Sequence, residues 1–479
     1  MNVPVSLAGT ESARLPEPLR IRAFDGLQGK LLLRPWYDWC GVRAIVNWYF
    51  PLSRAWAAAL EADGDLQSFN DQLGTGFQDS GRIRSALART AQADKTYHER
   101  QTLWEERFFS EAAVAEGELV RLEIERQSAS KHRMMRRKEF LPWRRKFPKL
   151  HWAVPLKDDV EQHHGERLAH PASAFEVPAF PGFEVSKGLS GAWDAMSPYR
   201  QYWLRFPSLA SGEESAVMAS PGEKGKAWAK VYEPEQGGEG APCLIFLHGI
   251  GMETDLWGEL ADPVNALTRQ GFRVIRPEAP WHAHRRLRGR FGGEPAIAQG
   301  PLGFIELFHA WVTEVAQLIE WARNNGSSQV AVGGLSLGAL TAQLVATQAR
   351  NWRPEQRPDH LLLITTSEDL LDIALHGSMA SLLEMPKHFA AAGWAEADLA
   401  RWTPLLEPHG DPVMEAARIV VLLGRADDLT PVRGGESLLR RWKVPENNIF
   451  RPNQGHFSAS LGLYRDNAVL QRVVANMTG

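Results

Sequence analysis

A serine at position 336 stands among small residues in GLSLG, Gly334 to Gly338, directly after the apolar run QVAV. A hydroxyl is a poor nucleophile until an imidazole accepts its proton. The imidazole in turn needs a carboxylate to fix its tautomer and stabilise its charged form. Both parts occur downstream: Asp427 in GRADDLTP after the run RIVVLL, and His456 in GHF after NIFRPN. Nucleophile, acid, then histidine is the chain order of one kind of serine hydrolase, with each member at the C-terminal end of a strand. Asp427 is preferred to Asp428 because it stands three residues past the strand-end glycine, and only geometry separates the two. Taken singly, each residue also has a plainer reading as a helix cap, a solvated acid or a structural histidine.

Two further groups of residues fit that chemistry. HGIGM, His248 to Met252, follows the apolar run CLIFL. The amides of Ile250 and of Leu337, the residue after the serine, are placed to receive a developing oxyanion. The loop WHAHRRLRGRFGGEP crowds His282, His284 and four arginines beside the expected mouth of the site. His282, His284 and Arg285 are therefore candidate substrate-binding residues, pairing with a carboxylate or phosphate. The competing reading is a solvated loop paired with acids of the N-terminal region. No further ligand spacing supports a metal site, and no cofactor is expected.

Such residues need elements to hold them. After Tyr199 the chain alternates apolar runs with helical patterns. CLIFLHG, FRVIRPEAP, QVAVGG, HLLLITT and RIVVLLG have the continuous apolar character of strands buried on both faces of a parallel sheet. QYWLRFP, ESAVMAS and AWAKVYEP read as shorter, antiparallel strands in front. The fold class expected is α/β: a mainly parallel, doubly wound sheet with a mostly helical N-terminal region. Domains are expected over residues 1–195, with long exposed helices from about Arg82 to Arg137 and an extended linker from about Pro155 to Pro198, and over 196–479. The stretch 367–412 reads either as a helical cap over the nucleophile or as the ordinary joining helix with extra turns.

With these motifs in view, residues from about 199 to 479 resemble the α/β-hydrolase superfamily. HGIG matches its oxyanion turn, GLSLG its nucleophile elbow, GRADDLTP its acid loop and GHF its histidine loop. PEAPWHAHRR, after the run FRVI, further makes the chain similar to the α/β-hydrolase domain-containing 18 type. The resemblance implies a serine hydrolase that forms an acyl-serine intermediate on a small-molecule or lipid-like acyl substrate. An idle hydrolase fold used as a scaffold is the alternative, since fold alone does not give function.

Composition sets the remaining bounds. The chain has 479 residues, 44% hydrophobic and 23% charged, with a net charge of −3. That is the make-up of an ordinary globular protein, and it gives no reason to expect nucleic acid as a partner. Two cysteines, Cys40 and Cys243, fit a reducing compartment, and the N-terminus lacks a signal-peptide pattern, so a cytoplasmic location is expected. One basic run stands out. Lys131 to Trp152 carries nine Lys or Arg against one acid, with Trp and Phe interleaved. It reads either as a peripheral contact with an anionic membrane or as solvated helix ends.

Overall fold

The computed structural model describes residues 29, 31, 33–78, 80–179, 182–190, 199–208, 225–234, 238–252, 267–463 and 465–478. Among the described residues the apolar runs, joined by a short strand from the expected linker, form a sheet of nine strands: β1 (Glu184–Val185, from the linker), β2 (Tyr199–Pro207), β3 (Lys226–Pro234), β4 (Cys243–Leu247), β5 (Arg273–Pro277), β6 (Val330–Leu335), β7 (His360–Ile364), β8 (Ile419–Leu422) and β9 (Ile449–Phe450). Their spatial order is β1-β2-β3-β5-β4-β6-β7-β8-β9. The first three strands and the β3–β5 pair are antiparallel, and every pair from β5 to β9 is parallel. The run ESAVMAS lies outside the described residues.

The strands are apolar throughout because both faces are covered. On β4, Cys243, Ile245 and Leu247 face one core, while Leu244 and Phe246 face the other. On β8, Ile419 and Val421 divide from Val420 and Leu422 in the same way. This two-residue alternation is the pleat of a doubly covered sheet. The second core is closed by the helix Ala468–Thr478 through Val469, Leu470, Val473 and Val474. The first holds the helix Pro301–Asn324, which is long and apolar enough to cross a membrane but is mostly buried against the sheet.

The described residues of the N-terminal region share the core of the sheet. Val42, Val46, Trp56 and Phe69 belong to the same buried cluster as Trp311 and Val332. The expected long helices are Gly81–Phe108 and Glu116–Met135, packed against each other. Their Trp104, Phe108, Leu119 and Leu122 cover Trp203 and Trp228 on the antiparallel strands. The expected linker is partly helical, because KDDVEQHHGERLA folds as Lys157–Ala169 with Asp158 and Asp159 in its first turn, where carboxylates suit the positive end of the dipole.

The basic run Lys131 to Trp152 is divided between core and surface. Its Phe140 and Phe147 are core residues. Arg133 and Arg137 are buried with their guanidinium groups over Trp56, while Lys138, Arg145 and Lys146 are exposed. The interleaved aromatics that suggested a membrane face are therefore used for packing. Between β7 and β8 the chain forms five short helices from Leu370 to Leu406 rather than one. They touch the acid loop where the Ser378 amide donates to the Asp428 carbonyl at 2.8 Å.

Candidate active site

Strand β6 lies centrally and ends at Leu335, so Ser336 sits at the C-terminal edge of the sheet and heads the helix Leu337–Gln348. Its backbone has φ 55° and ψ −118°, in the positive-φ region that a non-glycine residue adopts only under constraint. The two elbow glycines allow this turn. A Cβ on Gly334 would lie 2.2 Å from Gly338 C, and one on Gly338 would lie 2.1 Å from the Leu247 carbonyl oxygen. Strand, helix and the neighbouring β4 approach too closely there for any side chain.

The acid and histidine meet at the ends of β8 and β9. His456 Nδ1 is 2.8 Å from Asp427 Oδ2, and both residues are buried. Asp427 Oδ1 accepts from the amides of Leu429 and Thr430, each at 3.0 Å. Thr430 Oγ donates to Asp427 Oδ2 at 2.9 Å and lies 3.1 Å from His456 Nδ1. The carboxylate is thus oriented on both oxygens, while Asp428 is exposed. Among the described residues no hydrogen bond joins Ser336 Oγ to His456.

The turn after β4 abuts the serine: a Cβ on Gly249 would stand 3.7 Å from Ser336 Cβ. Leu337 is the first residue of its helix, so its amide has no intrahelical acceptor. Ile250 lies on the adjoining turn, and two histidines set that turn. His248 Nδ1 donates to the Gly249 carbonyl at 2.8 Å, and its Nε2 accepts from the Ala279 amide at 3.0 Å. His282 Nδ1 donates to the Pro280 carbonyl at 2.9 Å, and its Nε2 accepts from the Gly251 amide at 3.1 Å. Both rings must be neutral to accept, and burial favours that. It drives His282 down to about 4 and His248 well below the ordinary histidine value.

The three candidate substrate-binding residues all have partners inside the protein. His282 is wholly buried and latches the turn after β4 to the turn after β5. His284 is 2.8 Å from Glu278 and stacks on Trp228, with ring centroids 4.5 Å apart. Arg285 makes a two-pronged pair with Glu314, each contact at 2.8 Å, and also donates to Ser208. Their polarity is spent inside the protein because Glu278 and Glu314 are buried beside them. Arg288 follows the competing reading, pairing at 3.1 Å with Glu61 of the N-terminal region.

Two contributors had little or no signal in sequence. Thr430 was visible only as the Thr of DDLTP. Asp38, in the helix Pro35–Ala44, accepts from the Phe457 and Ser458 amides directly after His456, at 2.5 and 3.0 Å. Nothing in the local sequence around either partner announces that contact. Among the described residues no group of three or more His, Cys, Asp or Glu is arranged to hold a metal ion.

Residues 244–466 match the model of the alpha/beta hydrolase family, and the domain built around this strand-end site has the α/β-hydrolase fold. Among curated proteins, Esterase YjfP of Escherichia coli strain K12 is 33% identical over 105 residues. That match spans 21% of this chain and 38% of the esterase. Among solved structures, an acetyl xylan esterase from Paenibacillus sp. R4 aligns over 64% of this chain and 91% of its own, with 12% identity and a TM-score of 0.41. An esterase from Pyrobaculum calidifontis aligns over 68% of this chain and 94% of its own, with 16% identity and a TM-score of 0.36.

Proposed function

We propose that the chain is a serine hydrolase that cleaves an ester or related acyl bond through an acyl-Ser336 intermediate. The observation that carries this reading is the 2.8 Å contact between His456 and Asp427 at strand ends beside a serine held at positive φ. His456 Nε2 takes the Ser336 proton as Oγ attacks the carbonyl carbon. The Ile250 and Leu337 amides receive the oxyanion, and the protonated imidazole then gives its proton to the departing alkoxide. A water activated by the same imidazole releases the acid and regenerates the serine. The Escherichia coli relative is an esterase, which favours an ester over an amide. The apolar helices from Leu370 to Leu406, next to the acid loop, favour an acyl group with hydrocarbon character.

One observation favours a second reading, an idle scaffold: no hydrogen bond links Ser336 Oγ to His456 among the described residues. A catalytic contact of this kind is often loose without substrate and tightens on binding. The test is Ser336→Ala, assayed with short p-nitrophenyl esters and a fluorophosphonate probe. Loss of both turnover and labelling, with the fold unchanged, supports the hydrolase. An unlabelled wild-type protein, or a labelled mutant, refutes it.

A further inference from the structure

We infer that Asp38 is a positioning residue for His456, capping from the other end of the chain the helix that this imidazole opens. The inference rests on the hydrolase reading above. The helix His456–Gly462 begins after Gly455, a residue with no side chain to accept the first free amides. Those amides need acceptors, and a serine, threonine or aspartate at the cap position normally supplies one. Here the acceptor comes from Asp38. Its Oδ1 takes the Phe457 amide at 2.5 Å and the Ser458 amide at 3.0 Å, while its Oδ2 takes the Ser458 hydroxyl at 2.5 Å. That hydroxyl accepts the Gly455 amide at 2.9 Å, so one carboxylate and one serine satisfy three backbone donors on either side of His456.

The fit explains Gly455. A Cβ at that position would lie 2.5 Å from Asp38 Cγ, so the carboxylate occupies the place a local capping side chain would take. The next turn of the same helix continues the contact, because a Cβ on Gly41 would touch the Phe457 ring at 3.2 Å. Asp38 is buried at 3% exposure and pairs with no cation among the described residues. A buried carboxylate in that state is tolerable only with hydrogen bonds as complete as these and with the helix dipole facing it. The N-terminal region thereby fixes the residue at the start of the helix, which is the histidine of the triad. It also reaches the oxyanion side, where the Tyr49 hydroxyl donates to the Gly251 carbonyl at 3.3 Å.

The experiment is a swap in the full chain: Asp38→Ala, Gly455→Asp, and the double variant, which returns a carboxylate locally to the space the first change empties. For p-nitrophenyl acetate, Asp38→Ala should lower kcat about 10- to 100-fold, the scale of a misplaced catalytic group. KM should stay within about twofold. Gly455→Asp alone should be impaired as well, by collision with Asp38. The double variant should recover most of the lost kcat. The downfield proton resonance of the His456–Asp427 pair should broaden in Asp38→Ala and return in the double variant, a change that a merely less stable fold would not produce. Asp38→Asn, which keeps the volume and one acceptor, is read in the same way if the alanine variant does not fold. Unchanged kcat and resonance in the single variants, or no recovery in the double, overturns the inference. The two readings fail separately. A wild type that never reacts with ester or fluorophosphonate sinks the hydrolase, while the resonance still reports on Asp38. A normally labelled Asp38→Ala with an intact resonance sinks the positioning role alone.

Discussion

Asp427 receives four hydrogen bonds: two backbone amides on Oδ1, and the Thr430 hydroxyl and His456 Nδ1–H on Oδ2. Such a carboxylate cannot swing away from the imidazole, and the ring is held with its proton on Nδ1 and its lone pair on Nε2. Replacing Asp427 by Asn offers the ring an amide that favours the wrong tautomer. We expect kcat to fall by about 10⁴ with little change in folding. Thr430→Val removes one donor from Oδ2 and leaves the volume, so kcat should fall about tenfold, as for other residues that orient a catalytic ligand from behind. Asp428→Asn should leave kcat within about twofold, since that side chain is exposed. Steady-state kinetics on one ester substrate checks all three. A larger loss at Asp428 than at Asp427 would reverse the assignment of the acid.

At the scale of elements, the N-terminal region is fastened to the hydrolase domain by a buried polar cluster. Arg54, in the helix Phe50–Ala62, donates to the Gly289 carbonyl at 2.5 Å and to the Gln72 carbonyl at 2.7 Å, and its Nε lies 3.7 Å from Glu294 Oε1. Glu294 also accepts the His151 amide at 2.8 Å and the Phe291 amide at 3.2 Å. Burial pushes the Glu294 carboxyl up and the Arg54 guanidinium down, so each charge depends on its partner. Arg54→Ala leaves the buried Glu294 with Arg290 as its remaining cation and should cost about 3 kcal/mol in urea unfolding. Glu294→Gln added to it should recover part of that loss, because the under-compensated charge is gone. This clamp is invisible in sequence for the same reason that the partner of Arg285 is. An arginine in a basic loop looks alike whether its carboxylate is a substrate or a buried glutamate such as Glu314. The strands were legible because β4 to β8 are buried on both faces and keep continuous apolar runs between breakers. The elbow was legible because only glycine fits at Gly334 and Gly338. The capping of residues 457 and 458 by Asp38 was not, since a contact across some four hundred residues leaves no mark in local spacing.

For the whole molecule, burial of neutral histidines makes stability depend on pH in a definite direction. His164, His282 and His360, all buried, lie at about 4, each driven down first by burial. In the unfolded chain the same groups titrate near 6.5. Between about pH 4 and 6.5 the unfolded state therefore holds more protons than the fold at these sites, and stability rises with pH across that window. Glu407 works against this. Burial raises it to about 7, so between about pH 4.5 and 7 the fold holds a proton that the unfolded chain has lost. These histidines, with His248 lowered as well, outnumber Glu407 and Glu294, whose carboxyls burial raises, and leave the histidine slope in control. Tm should be level above about pH 7 and should fall steadily from about pH 6.5 towards 4. The same protonation would take away the acceptor that His282 offers to the Gly251 amide, so the turn beside Ser336 should loosen at the acid end of the window. Calorimetric Tm at pH 5, 6, 7 and 8, in buffers matched for ionic strength, measures the slope. Replacing His282 by Gln removes one titrating group, so the variant, although less stable at pH 7, should lose less further stability on acidification than the wild type. A Tm that stays flat from pH 7 to 5, or rises, would mean that these imidazoles are not held neutral inside the fold.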